Sequence, residues 1–332
     1  MPFPTPRPAL TRRALALAGL AAFALGAQAQ PARVGNFPAQ PIRLVVPFPP
    51  GGATDTIGRA IAQEAGKHGL QVVVENRPGA AGNLGVGQVA SGPADGYTIV
   101  LAGNNSVAVD PAQEKLPFVP NRDLVPVTPV VAIPYVVAAN PAFPPNNIKE
   151  LIEAAKKAPG TINFASSGTG APPHMASELL LAMAGLNIKH IPYKGAVPAF
   201  TDVVGGQVQF ITGDLNTARP FLETGRLKAL ATTGAQRLEQ LPNVPTVAES
   251  GLPSYEAEGW FGLFAPSKTP PEILAFLSAA FEKARQEPEF RKRMGALGGR
   301  VMTMARPEFE RYIASETTKR SNLIRTNKIN LE

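Results

Sequence analysis

Cysteine is absent from the 332 residues, which excludes disulfides, Cys-ligated zinc and a thiol nucleophile and is compatible with an oxidising compartment. Histidine occurs only at positions 68, 174 and 190, with no metal-ligand spacing, so no metal and no cofactor is expected. Charged residues make up only 17% of the chain, and its Lys and Arg do not cluster with aromatics, which argues against a nucleic-acid surface. Apolar residues at 44% exclude a disordered chain. Beyond residue 29 no apolar run approaches the roughly 18 residues that a membrane helix needs.

One apolar run does occur, near the start. Arg12 and Arg13 precede a run from Ala14 to Leu25 and then the small residues Ala27-Gln28-Ala29. This is the pattern of a signal peptide over residues 1–29, cleaved near Ala29, and it leaves general and twin-arginine export both open. Its removal takes away Arg7, Arg12 and Arg13 and no acid, lowering the formal charge of +7 by three. The modest positive balance that remains favours steering of an anion.

From Pro41 onward short β-branched runs alternate with helical patterns, the mark of α/β units with crossover connections. Ile42 to Val46 reads as the first strand and ends in Pro47-Phe48-Pro49-Pro50-Gly51-Gly52, which neither a strand nor a helix interior tolerates. Thr54 or Asp55 is placed to cap the helix that follows, which runs to about Lys67. Two or three apolar strands are expected between Val125 and Ala138, interrupted by Pro129 and Pro134. Thr161 to Ala165 starts a second series with the same logic: a strand, the loop Ser166-Ser167-Gly168-Thr169-Gly170, then a helix to about Met183.

Each of these two turns joins small residues to a helix start, where the first amides have no partner within the helix and the helix dipole adds partial positive charge. A carboxylate fits there without an arginine; positions 47–54 carry no charge, and 164–175 only that of His174. The same residues also serve as plain turns and caps. Ser167 with His174 does not form a hydrolase constellation, because Ser166-Ser167-Gly168 is not the Gly-x-Ser-x-Gly elbow and no acid is placed to orient the histidine. Gly85-Val86-Gly87-Gln88-Val89-Ala90 matches a dinucleotide fingerprint in form, but it starts ten residues after the strand ending at Glu75 and lacks the expected acid.

Several motifs in one order carry a resemblance over the whole chain after residue 29: Pro41 to Asp55, Val74 to Gly79, Asp95 to Thr98, Ser166 to Gly170, Pro192 to Gly195, Gly205 to Gln207, Pro242 to Thr246 and Trp260 to Pro266. Together they resemble the Bug-type solute receptors of tripartite tricarboxylate transporters. The resemblance implies a periplasmic-binding-protein type II, or Venus flytrap, fold: two α/β lobes around a ligand cleft. Lobe 1 is expected over 36–133 plus 261–332 and lobe 2 over 134–260, with crossings near Ala132 to Tyr135 and Glu258 to Trp260.

It further implies a periplasmic, monomeric binding protein without catalytic activity that takes a small mono- or dicarboxylate, aliphatic or aromatic, and hands it to membrane permease subunits. Carried across, the ligand loops are Phe48, Pro49, Gly51, Gly52, Ala53, Thr54 and Asp55 in one lobe, and Ser166, Ser167, Gly168, Thr169 and Gly170 with His174 in the other. Asn104, Tyr193, Lys194, Gly195 and Ala196 are expected on the cleft walls, while Asn76 to Gly79 is expected to buttress the first loop. Two departures from the family pattern stand out. Ala171 replaces a common Ser, and Gly213-Asp214 replaces an acid-amide pair, which leaves the far end of the ligand open. A nucleotide-dependent oxidoreductase and a receptor-like sensor for a signalling partner are the alternative readings.

Overall fold

The computed structural model describes residues 35–109 and 116–329; the predicted signal peptide lies outside them. The chain begins β1 (Ile42–Val46), α1 (Ala53–Lys67), β2 (Val72–Asn76), α2 (Asn83–Ala90) and β3 (Thr98–Gly103). β1 lies between β2 and β3 and is parallel to both. Helical crossovers between parallel strands of one sheet produce this arrangement.

β4 (Leu124–Ala139) is one strand of 16 residues, buried almost throughout. Its sequence predicts two or three strands broken at Pro129 and Pro134, and the structure corrects this. The ladder shifts register between Pro126 and Thr128 and again between Pro129 and Val131, so Pro126 and Pro129, which cannot donate, sit at irregularities of a continuous strand, while Pro134 pairs in register with Glu258 at the end of the β9 ladder.

The second series follows: α3 (Ile148–Lys157), β5 (Asn163–Ser166), α4 (Pro172–Ala184), β6 (Lys189–Pro192), α5 (Ala196–Val204), β7 (Phe210–Asp214), α6 (Leu215–Glu223) and β8 (Lys228–Thr232). β9 (Glu258–Pro266) returns to the first sheet, and α7 (Pro271–Gln286), α8 (Pro288–Ala296), β10 (Arg300–Val301) and α9 (Arg306–Asn327) complete the chain. Asn147 caps α3 by accepting from the Glu150 N–H at 2.9 Å, and the Glu150 carboxylate accepts in return from the Asn146 N–H at 2.7 Å.

Strand order runs β2-β1-β3-β9-β4 in one half and β6-β5-β7-β4-β8 in the other. β4 is common to both: residues 124–134 pair with β9, and 135–139 with β7 and β8. Both half-sheets are covered on both faces, and alternate strand residues show it. Leu44, Ile99 and Leu101 join one apolar cluster while Val45, Val100 and Ala102 join another. Phe164, Phe210 and Val137 likewise separate from Ala165, Ile211 and Val136. The period of two sends neighbouring residues to opposite faces, and helices on both faces exclude water from each. The result is the two-lobed type II binding-protein fold, with β1 and β5 at matching positions.

Candidate ligand-binding site

A ligand crevice in an open α/β sheet forms beyond the carboxyl ends of strands, where helices leave to opposite faces. β1 and β5 are such places, each flanked by parallel strands on both sides. The turns that leave them are the two predicted loops, and both reach one cavity of about 640 Å³, within the usual size range for small-molecule sites.

The first turn is built around Asp55. This residue is 4% exposed, and its carboxylate accepts from the Gly51 N–H at 3.0 Å, from Arg59 Nε at 2.9 Å and from Asn76 Nδ2 at 2.9 Å. Asn76 also donates to the Phe48 carbonyl at 3.0 Å, which is the buttress expected of the Asn76 to Gly79 motif. Burial pushes the Asp55 pKa up, but the hydrogen bonds from Arg59, Gly51 and Asn76 outweigh it and hold it at about 2. Asp55 therefore stays ionised and faces its own loop. The helix cap is Gly52, with no side-chain cap bond, where Thr54 or Asp55 was expected; Asp55 is drawn instead to Gly51, Arg59 and Asn76. Without a side-chain acceptor, the amides of Ala53 and Thr54 in the first turn of α1 have no partner among the described residues, and both residues line the cavity.

The second turn is held differently. Ser166 Oγ lies 2.6 Å from His190 Nε2 and accepts from the Gly168 N–H at 3.2 Å. The Gly170 N–H donates to His174 Nδ1 at 3.0 Å, and Arg320 from α9 donates to the Gly170 carbonyl at 3.0 Å. The rings of His174 and His190 stack at 3.9 Å, with Phe164 against His190 at 4.8 Å. Burial, and then the neighbouring His174, lower the His190 pKa to about 4, so its imidazole is neutral near pH 7. This aromatic stack is a support that spacing alone did not reveal, because His190 comes from the next strand.

Here the expectation of a helix start rich in free amides fails. α4 opens on Pro172 and Pro173, which have no N–H, and the amides of Gly168, Gly170 and Ala171 are already bonded within the turn. Ser167 and Thr169 carry what the second turn still offers.

Of the predicted residues, Phe48, Ala53, Thr54, Asn104, Ser167, Gly168, Thr169 and Gly170 line the cavity. Pro49, Gly51, Gly52, Asp55, Ser166 and His174 belong to the two turns or the helices that follow them but are not among the lining residues; Pro49, Gly51 and Gly52 are exposed, and Asp55, Ser166 and His174 are buried. Tyr193, Lys194, Gly195 and Ala196 are not among the lining residues. The Tyr193 hydroxyl donates to Asp202 at 2.7 Å, Lys194 is exposed, and the Gly195 N–H supports the second turn through the Ser167 carbonyl at 3.2 Å.

The cavity also contains residues that local motifs did not point to. Asn83, Asn105, Leu116 and Phe261 line one side, and Ile133, Tyr135, Asp214 and Gly259 close it near the crossing strands. They converge only through sheet register, Tyr135 standing opposite Asp214 and Pro134 opposite Glu258. A Cβ at Gly259 would collide with the Tyr135 hydroxyl, so the glycine makes room for it. Among the described residues no Lys, Arg or His lines the cavity, and none of them form a group of three or more potential metal ligands.

The dinucleotide reading does not survive. Gly85 and Gly87 lie inside α2 and not in a strand-to-helix turn. A side chain at Gly85 would strike the Arg77 carbonyl at 2.7 Å and Pro47 at 3.0 Å, so this glycine seats α2 against the first turn.

Comparison with known proteins agrees with this geometry. The family model described as "Tripartite tricarboxylate transporter family receptor" matches residues 57–331. The UPF0065 protein in the tcbD-tcbE intergenic region of Pseudomonas sp. (strain P51) is 38% identical over 94% of this chain and 93% of its own length. Protein BugT of Bordetella pertussis is 34% identical over 94% and 97%. Among solved structures, R. palustris Rpa4515 with adipate superposes with a TM-score of 0.77 at 30% identity, covering 88% of this chain and 99% of the other. MatC (Rpa3494) from Rhodopseudomonas palustris with bound malate gives 0.72 at 31% identity, covering 87% and 100%.

Proposed function

Because the chain belongs to the tripartite tricarboxylate transporter receptor family, whose members are solute-binding receptors and not enzymes, we propose that it captures a small carboxylate in this cavity and presents it to membrane permease subunits. The mature protein acts in the periplasm as a monomer after residues 1–29 are removed, with lobe 1 over 36–133 plus 261–332 and lobe 2 over 134–260. The change of β4 partners between Pro134 and Tyr135 supports that boundary.

The observation that carries the reading is a cavity reached by both turns, with no cationic side chain among its described lining residues, whose lining includes Ala53 and Thr54, the first-turn residues of α1 whose amides have no partner among the described residues. Hydrogen bonds to a charged group contribute roughly 1.5–3 kcal/mol each. Ala53 and Thr54 from α1, with Ser167 and Thr169 opposite, supply about four, enough for micromolar affinity near −8 kcal/mol after ordering costs. Contacts from both lobes exist together only when the cleft is shut, so ligand shifts the population toward closure. The adipate and malate in related structures are of the expected class.

Titration calorimetry of the purified mature protein against aliphatic and aromatic acids tests this. Micromolar binding of at least one carboxylate, with no heat from NAD(H) or NADP(H), is the expected outcome. Silence toward every acid, or binding of a nucleotide instead, contradicts it.

A further inference from the structure

Among the described residues that line the cavity, one side chain, Asp214, is acidic and none is cationic. Asp214 ends β7 and half-buried lines the cavity, and although it stands at the N-terminus of α6 it forms no side-chain cap bond. Among the described residues only its own backbone N–H donates to its carboxyl group. Opposite it on β4 is Tyr135, 4% exposed, whose hydroxyl has no hydrogen-bond partner among the described residues. Asn104 spends its amide N–H on the Glu258 carbonyl at 3.2 Å, which leaves its oxygen as an acceptor. This end of the cavity thus offers the Asp214 carboxyl group and the Asn104 oxygen as acceptors beside a single hydroxyl, while the turns offer amide donors.

Distance follows from the sheet. β5, β7 and β4 are successive neighbours, and adjacent strands lie about 4.8 Å apart. Asp214 therefore stands about one strand spacing from the second turn. A four-carbon acid has the length to span that spacing from a carboxylate seated at the second turn. A second carboxylate there would meet a like charge in a poorly solvated site, whereas a hydroxyl or ammonium would add a donor to an acid whose one protein donor among the described residues is its own backbone N–H.

We propose that Asp214 selects the solute: a carboxylic acid whose far end carries a hydrogen-bond donor, a hydroxyl or an ammonium, in preference to a dicarboxylate. This rests on the carboxylate-capture reading above. Burial of Asp214 raises its pKa, the response of an acid that lacks a compensating donor.

Butyrate, 4-hydroxybutyrate, 4-aminobutyrate and succinate, titrated by calorimetry into the wild type and into Asp214→Asn, form a matched test. Asn has nearly the same shape and Asp214 caps nothing, so thermal unfolding should be unchanged. The wild type is expected to bind 4-hydroxybutyrate or 4-aminobutyrate at least tenfold tighter than succinate, and the tighter of the two identifies the donor. In Asp214→Asn that preference should collapse, with succinate gaining about tenfold. If succinate binds the wild type as tightly as the donor-bearing acids, or if the substitution leaves the ratio unchanged, the selection by Asp214 is wrong while carboxylate capture stands. If none of the four acids binds either protein, the selection by Asp214 is wrong, and capture itself falls only if the wider panel of aliphatic and aromatic acids is silent as well.

Discussion

The turn after β1 and the turn after β5 hold equivalent places in their half-sheets and reach the same cavity, yet they are not chemically equivalent. The first opens α1 on Ala53 and Thr54 with unpaired amides, and its one acid is turned inward onto Gly51, Arg59 and Asn76. The second opens α4 on two prolines, has most of its amides bonded within the turn, and is supported by the stacked His174 and His190 and by Arg320. Under the proposed function, matching topology does not divide the binding of an anion evenly: the first turn would carry most of the favourable amide dipoles, and the second would supply shape, hydroxyls and a contact that closes over the solute.

The largest effect should come from placing a charge at the stronger turn. Ala53→Asp puts a carboxylate where the solute's own would sit; it suits the start of a helix and should leave the fold intact. A loss of at least about 100-fold in carboxylate affinity is expected by calorimetry, since like charges at close range in a poorly solvated site repel strongly. Retained affinity would shift the weight to the second turn.

Next comes the support of the first turn. Asp55→Ala strips the Gly51 N–H and the Asn76 amide of their acceptor in a buried setting, so a stability loss of about 2 kcal/mol is expected in urea unfolding. Ligand affinity should fall with it, because the amides of α1 lose their orientation.

Acid should separate the two turns. His190 titrates at about 4 in the folded protein against 6.5 in the unfolded chain. Between those values the unfolded state binds a proton that the folded state refuses, so this contribution to stability is present above 6.5 and is lost as the pH falls toward 4. Allowing for partial exposure, about 1.5 kcal/mol should disappear across that window, and His190→Asn should lack that component. Asp55 has its pKa lowered to about 2; its contribution is present above the unfolded value of 3.8 and fades only as the pH falls through 2, so the first turn keeps its support throughout that window.

The smallest effect sharpens the contrast from the other side. Pro172→Ala gives α4 a first-turn N–H, and affinity for a carboxylate should rise by about twofold, at a cost of roughly 0.5 kcal/mol in stability from a freer unfolded chain.

Local sequence patterns exposed the first turn well, because Pro47 to Gly52 can be neither strand nor helix and Asn76 to Gly79 travels with it. The second turn was visible as a run of small residues, but its supports were not. His190 joins Ser166 only through β5-β6 pairing, and Arg320 arrives from a helix 150 residues further along. β4 was hidden by its own prolines, since local rules read them as breaks while the ladder absorbs Pro129 by shifting register and places Pro134 at its end, opposite Glu258. Tyr135 and Asp214 have no motif to mark them, and what brings them to the cavity is the register of two strands far apart in sequence. Tyr193 to Ala196 were expected on the wall from the resemblance alone and stand outside the lining, where Gly195 works as a backbone support for Ser167.

The central claim is that an anion is held by peptide N–H groups, chiefly those of α1, without a cationic side chain. A ¹H–¹⁵N correlation titration with the tightest-binding acid of the panel tests it most directly. The account expects the Ala53 and Thr54 amides to show the largest downfield proton shifts, with Thr169 smaller and Gly170 nearly still. Unmoved Ala53 and Thr54 amides at saturation, with the large shifts elsewhere, would contradict it.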